Sequence, residues 1–428
     1  MENIVVGRDK PDIIKYQEQG TAFIGRHIVG QGEEAHMTNP ILMDVIKPHV
    51  VLVCGKRGTG KSYSAGVIAE EMTKLSKEIK SNLSVLMIDT MGIFWSMKNP
   101  NDRARKLLAE WNMKPEGVTA RLFVPPKYAK EYREVGVEVD QEFTLPCGEL
   151  SAEDWMITFN FSPIDSYGIA IERVIKAVKS KRGEEYSIQN IIEEIDKDKK
   201  IEKETKEALI NRFSAAEDWG IFEEKGTPIS DIFSPGTVNV IDVSHYLRIS
   251  GAWSVRNLLV GLLSRKIFME RLKARKSEEF ETMTGFKKKA VPMAWIMIDE
   301  AHQFLPAGEK TAATEPLLTL VKEGREPGIS VLLITQRPGK LHEDALAQSD
   351  FIISHRLTSK ADIEALRSIM QTYMLEDIEE YLNALPRENG SAIILDDNSE
   401  RLYAMQVRPR VSWHAGGSPS AIKEKSLI

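Results

Sequence analysis

The sequence predicts an α/β fold: a mostly parallel sheet with helices on both faces, a helical insertion and a small N-terminal β segment. Two observations carry this reading. Short, continuous apolar runs occur at HVVLVC (49–54), SVLMID (84–89), AWIMIDE (294–300) and SVLLITQ (330–336). Such runs suit strands buried on both faces. Between them lie stretches with apolar residues at helical spacing, among them IAIERVIKAVKSK and ETKEALINRFSAAEDW. Alternation of the two packs as helices covering a central sheet.

Taken in order, residues 1–20 are polar and read as extended or mobile, and residues 21–46 as small strands or hairpins broken by Gly, Asn and Pro. A buried strand at 49–54 leads through a Gly-rich turn into a helix from Lys61 to about Lys80. Residues 98–160 read as short helices and loops. The text from Ile164 to Phe233 is helical, with the charge run EEIDKDKKIEKE as a solvated face or connector. TVNVIDVS (237–244) returns to strand, and a helix follows over about 251–275. Residues 276–290 lack periodicity and read as a loop. Helices near 361–370 and 375–385 precede a last strand pair, SAIILDD and RLYAMQV. The expected units are an N-terminal β segment or strap (1–46), a core in two parts (47–163 and 234–410), a helical insertion (164–233) and a Gly/Ser/Pro-rich tail (411–428).

Composition narrows the function classes. With 42% apolar and 28% charged residues over 428 positions, the chain is expected to fold as a soluble globular protein. No apolar run approaches 18 residues and the first 20 lack a signal-peptide core, so a cytoplasmic location without membrane contact is expected. Two distant cysteines, Cys54 and Cys147, exclude a disulfide scaffold and a CxxC zinc site. The net charge of −6 means that any nucleic-acid contact must use a local basic strip.

The chemistry-bearing motifs lie at strand ends. Gly55-Lys56-Arg57-Gly58-Thr59-Gly60-Lys61-Ser62, followed by Tyr63, fits G-x-x-x-x-G-K-[ST] between a buried strand and a helix. Glycines there let backbone N–H groups turn toward phosphate oxygens, and the helix N-terminus adds partial positive charge. Lys61 would reach the β and γ phosphates of ATP, and Ser62 would ligate Mg²⁺. Asp299 and Glu300 end another apolar strand. The Asp suits Mg²⁺, and the Glu suits polarisation of a water for attack on the γ-phosphate; an acidic helix cap is the plainer alternative. Asp299-Glu300-Ala301-His302 also spell a DEAH box, yet no QxxGRxGR-type motif of a second lobe accompanies them. Gln336 ends a third strand, where a polar residue can sense the γ-phosphate. Arg325, upstream in KEGREPG, stands at a helix end; charge stabilisation of the transition state and a helix-dipole role are both open.

GKRGTGKS, IDTMGIFWS, MIDEAHQFLP and KEGREPGISVLLITQRPGKLHEDALAQSD, in this order and spacing, resemble the HerA/FtsK superfamily of P-loop ATPases, closest to the HerA-like branch. The resemblance covers roughly residues 40–415. It implies a RecA-like core, a homo-hexameric ring and ATP-driven movement on double-stranded DNA. It assigns Lys61 and Ser62 to the phosphate loop, Asp299 and Glu300 to the Mg²⁺ and water-activating pair, Gln336 to the sensor and Arg325 to hydrolysis. For Arg325, action within its own subunit is expected over action across a subunit boundary. Asp89 corresponds to an acidic residue near the nucleotide, a simple strand-end acid being the alternative. Arg408 and Arg410 fall in a segment similar to the family's C-terminal strap and are candidates to touch a neighbour's nucleotide; a basic surface tail is the alternative. Two departures stand out. Asp89-Thr-Met-Gly replaces the family's acidic-Pro-His-Gly pattern. Only 54 residues precede Gly55, too few for the usual β-barrel, which bears on docking of a nuclease or other effector. A protein cargo, or a nucleotide-gated scaffold, is the alternative to DNA movement. Lys98, Lys181, Arg182 and Lys340 are loop cations to consider for a channel.

Overall fold

A computed structural model describes residues 3–30, 34–248, 253–285, 291–370 and 378–417. Its centre is a 13-stranded sheet in the order β1-β3-β2-β15-β14-β13-β4-β12-β11-β5-β10-β6-β7. In chain order these are β1 (Ile4–Val6), β2 (Thr21–Val29), β3 (His36–Asp44), β4 (Val50–Cys54), β5 (Leu83–Asp89), β6 (Ala120–Val124), β7 (Gln141–Glu142), β10 (Val238–Asp242), β11 (Met293–Ile298), β12 (Ile329–Thr335), β13 (Phe351–His355), β14 (Ser391–Asp396) and β15 (Arg401–Val407). A separate two-stranded sheet joins β8 (Leu145–Pro146) to β9 (Phe222–Glu223). From β13 to β7 every pairing is parallel. β14, β15, β2 and β3 extend the sheet antiparallel, so the N-terminal strands continue the sheet.

The continuous apolar runs are strands because both faces are covered. Leu52, Cys54, Leu86 and Ile88 join one core, while Val51, Val53, Val85 and Met87 join the other. The alternation is the two-residue period of a strand, with no face left for water. The stretch expected as an insertion holds three helices, Ser166–Arg182, Ile188–Lys197 and Lys203–Glu217, the first two capped by Asp165 and Ser187.

Four local expectations are corrected. Residues 1–20 are structured: β1 pairs with β3, and Asp9 caps a helix over Lys10–Tyr16. Arg8 is buried, donating to Asp44 at 2.6 Å and to the carbonyls of Gln17 and Gln19. Beside it His49 bridges Asp350 (2.8 Å) and Asp44 (3.1 Å). Burial alone would lower its pKa, but the two carboxylates raise it to about 9. Second, β6 lies in the stretch read as short helices and loops. Arg121 interrupts its apolar run, and its guanidinium is met by the Ser234 hydroxyl and the Gln141 side-chain carbonyl. Third, β13 was not read as a strand, because FIISH offers only three apolar residues. Fourth, the helix Trp253–Thr284 runs through most of the segment expected as a loop. Arg271 pairs with Glu278 and Arg275 pairs with Glu279, i,i+7 and i,i+4 pairs that span the added turns, and Ser277 Oγ donates to the Lys273 carbonyl. The rest of that expected loop (286–290), residues 371–377 of the late helices and tail residues 418–428 lie outside the described residues.

Candidate functional site

The parallel strands place their carboxyl ends along one edge, and the motifs meet there. Thr335 of β12 lies opposite Cys54 of β4, which leads into the phosphate loop. β11 lies on the far side of β12 and delivers Asp299 and Glu300. This edge is where ligands bind in open α/β sheets.

The loop 55–60 is held by its neighbours. Lys56 N–H donates to the Arg356 carbonyl at 2.9 Å, beyond the end of β13. Gly55 has φ +151°, and a Cβ there would lie 2.6 Å from His355 Cβ, so only glycine fits. His355 faces the Ser391 carbonyl with Nδ1 (3.1 Å), so that nitrogen carries the proton. Its Nε2 then accepts from Ser64 Oγ at 2.9 Å, on the helix Lys61–Lys74. Burial lowers the pKa of this histidine to about 4, keeping it neutral. Sequence reasoning missed His355, since β13 was not recognised. Lys56, Arg57 and Gly58 are exposed; Thr59, Gly60, Ser62 and Tyr63 are half-buried.

Lys61 is buried, with Nζ donating to the Lys56 carbonyl at 3.1 Å. Desolvation lowers its pKa, opposed by Glu300 and Asp299. Asp299 is raised to about 7 by burial and by Glu300, opposed by the Glu300 N–H, Lys61 and the Ser62 hydroxyl. Burial also raises Glu300, against Lys61 and Gln336. Gln336 Nε2 donates to Glu300 Oε1 at 3.3 Å. Glu300 sits in the left-handed region (φ 52°, ψ 45°), a strained conformation for a side chain of its size. His302, next on this turn, meets Thr335 Oγ1 at 3.0 Å, linking the acidic turn to β12.

Asp299 Oδ2 and Glu300 Oε2 are buried and have no hydrogen-bond partner among the described residues; His302 Nδ1 lies 3.5 Å from Glu300 Oε2. Buried carboxylate oxygens in that condition are costly unless something else binds them. Two orphaned acceptors beside a lysine and a serine hydroxyl fit a Mg²⁺–nucleotide and an attacking water.

Three assignments change. Asp89 does not offer its carboxylate to a ligand. Oδ1 accepts from Met91 and Gly92 N–H, and Oδ2 from Ile93 and Phe94 N–H, at 2.7–3.1 Å. It organises the turn after β5. Arg408 and Arg410 do not reach outward: both are fully buried and grip the phosphate-loop helix of their own chain. Glu70 accepts from Arg408 Nη1 (2.9 Å), Arg410 Nε (3.0 Å), and the Val411 and Ser412 N–H groups. Gly66 permits this approach, because a Cβ there would lie 2.6 Å from Arg410 Nη1. Arg325 is exposed and precedes β12, whereas Gln336 follows it. Seven strand residues span about 20 Å, which no side chain bridges. Arg325 therefore lies at the opposite edge from its own phosphate loop, and a role within its own subunit is excluded. Among the channel candidates, Lys98 pairs with Asp140 and Lys181 with Glu194.

Glu70 was not singled out from sequence, yet it anchors the segment after β15. Burial would raise its pKa, but Arg410 and Arg408 outweigh burial and hold it below the usual carboxylate range. Its contribution is thus present at neutral pH and lost as pH falls through that lowered value. Glu70→Ala leaves two buried guanidiniums without this partner and is expected to destabilise the fold by about 3–5 kcal/mol. Urea unfolding of mutant and wild type at pH 7 measures it, and Glu70→Gln should cost less.

Comparison with known proteins agrees with this geometry. A sequence profile described as "Helicase HerA, central domain" matches residues 23–267, over half of the chain. The chain is 31% identical over 140 residues to the DNA double-strand break repair helicase HerA of Pyrococcus furiosus, an alignment covering 30% of this chain and 25% of that protein. It is 25% identical over 408 residues to the protein of the same name from Sulfurisphaera tokodaii, covering 95% of this chain and 73% of that one. The structure of VirB4 of Thermoanaerobacter pseudethanolicus shares the fold, with TM-score 0.54 and 12% identity over 92% of this chain and 98% of that one. With a phosphate loop, an acidic turn and Gln336 meeting on one sheet edge, and this profile running through the first half of the core, the chain belongs to the HerA central-domain family of P-loop ATPases.

Proposed function

We propose that this protein hydrolyses ATP and couples turnover to movement on double-stranded DNA, as a homo-oligomeric ring with the nucleotide at each subunit boundary. The observation that carries the ATP part is the pair of orphaned oxygens, Asp299 Oδ2 and Glu300 Oε2, beside Lys61. Ser62 and Asp299 would hold Mg²⁺, which when bound offsets phosphate charge. Lys61 binds the β and γ phosphates through Nζ. Glu300 orients a water at Oε2 and takes its proton as the oxygen attacks the γ-phosphorus, while the bond from phosphorus to the β–γ bridging oxygen breaks and ADP leaves with that electron pair. Gln336 holds Glu300 through Oε1, so Oε2 remains for the water. A burial-raised pKa makes Glu300 a better proton acceptor than a solvated carboxylate.

The DNA part is supported by the names of the relatives, and the ring by Arg325, which has no nucleotide within reach in its own chain. Backbone contacts by a translocating ring are independent of sequence and weaken with salt. The test is the ATPase rate with and without duplex DNA at two salt concentrations, on samples sized by mass photometry. Stimulation by DNA that fades with salt is expected; a rate indifferent to DNA would turn the reading toward a protein cargo or a gated scaffold. Lys61→Ala is expected to lower turnover by about 10²–10³ or more, because the developing phosphate charge loses its cation. Equal turnover would remove the phosphate loop from the mechanism. Among the described residues, no helix is long and apolar enough to cross a membrane.

A further inference from the structure

We propose that residues 408–417 form the nucleoside end of the chain's own nucleotide cleft, with a purine base seated against Tyr63 and His414; this rests on the ATP reading above. A cleft of about 720 Å³ begins at Gly58, Gly60, Lys61 and Ser62 and runs to Tyr63, Trp111, His414 and Gly417. Asp299, Glu300 and Gln336 do not line it. A triphosphate whose γ end lies at Glu300 must therefore direct its ribose and base into this cleft.

The far wall suits a base. Tyr63 and His414 meet edge-on, with ring centroids 5.2 Å apart and planes at 82°. Arg410 has only donors, and its Nη1 lies 3.3 Å from His414 Nδ1, so Nδ1 accepts. The proton of the neutral ring is then on Nε2, a donor on a residue of the cleft wall. Purine ring nitrogens are acceptors and match it. Trp111 and Pro409 supply apolar surface beside it.

The wall is tied to its own chain. Arg410 N–H donates to Tyr63 Oη at 2.6 Å, Trp413 N–H to the Asn99 carbonyl at 2.7 Å, and Ser96 Oγ to the Trp413 carbonyl at 3.0 Å. The Val411 carbonyl accepts from Asn101 and Glu116 N–H. Swinging this segment to a neighbouring copy would break these bonds and strip Glu70 from two buried arginines. The segment expected to serve a neighbour thus completes its own site. It also ties the base end to the phosphate loop, since Glu70 and Tyr63 lie on the helix that begins at Lys61.

Calorimetric titration of the full chain with ATP, ADP and inorganic tripolyphosphate in MgCl₂ tests this. His414→Ala is expected to weaken ATP and ADP about tenfold, the scale of one hydrogen bond with its packing, and to leave tripolyphosphate unchanged. His414→Phe keeps a ring against Tyr63 without the Nε2 donor, guards against a collapsed wall, and is expected to weaken ATP several-fold, roughly half of that effect on a logarithmic scale. Unchanged ATP affinity in both variants, with wild type binding ATP, overturns the proposal and leaves the phosphate loop standing. Wild type that binds tripolyphosphate as tightly as ATP overturns it as well. Wild type that binds neither sinks the nucleotide reading and this proposal with it. Mixing His414→Ala with Lys61→Ala chains should restore no wild-type sites; restoration would place the wall on a neighbouring copy and overturn the assignment.

Discussion

Glu300→Gln is expected to bind ATP with near wild-type affinity and to hydrolyse it about 10²–10⁴ times more slowly, the range that positioned general bases contribute. The amide preserves size, and Gln336 can still donate to its oxygen, so the strained turn at 300 keeps its shape. What disappears is the acceptor at Oε2, an atom with no hydrogen-bond partner among the described residues, with His302 Nδ1 3.5 Å away. Loss of a buried negative charge beside Lys61 also removes a competitor for that cation, so ATP retention should hold or rise. Nucleotide retention by filter binding and turnover by phosphate release, measured on one sample, separate the two effects. A variant that folds but no longer retains ATP would make Glu300 a structural residue; one that turns over at the wild-type rate would move the base elsewhere.

What sequence could supply was decided by how local each feature is. The phosphate loop and the acidic pair are contiguous in the chain and flanked by apolar runs, so their strands and their meeting edge follow from pattern and topology. The missed parts depend on residues far apart in sequence. Arg408 and Arg410 look like a basic surface tail because nothing near them is acidic. Their partner Glu70 lies 340 residues from Arg410, buried on the helix that begins at Lys61. β13 is written in three apolar residues, enough only because it is flanked by β4 and β14. Its terminal His355 becomes part of the phosphate loop's support through that placement alone. Asp89 was recognisable as a strand-end acid, but the four N–H groups that occupy it come from a turn with no regular pattern. Arg325 is different in kind: its chemistry was legible, and its position was too. It precedes the strand that Gln336 follows, and in a parallel sheet those are opposite edges.

That placement carries the largest expected effect. Arg325→Ala should lower ATP turnover by about 10³–10⁵, the range for an arginine that meets the γ-phosphate in related enzymes, while leaving ATP binding by isolated chains unchanged. The guanidinium is a rigid fork of donors that suits charge developing on the transferring group. It lies at the end of the helix Thr314–Glu323, exposed, about 20 Å along β12 from its own site. The nucleotide it can serve is one bound by another copy presenting its phosphate loop to that edge. Subunit mixing reads this directly. An Arg325→Ala chain retains Lys61, Glu300 and Gln336 but has no arginine to give its neighbour; a Glu300→Gln chain cannot activate water but still presents Arg325. Neither alone should turn over ATP. A mixed ring contains junctions in which an intact acidic turn faces an intact arginine, so the mixture should recover activity in proportion to such junctions, peaking near equal amounts. Native mass measurement confirms that the two chains co-assemble. Co-assembly without recovery would leave Arg325 no role across the boundary, and, since its own phosphate loop is out of reach, would remove it from the chemistry altogether.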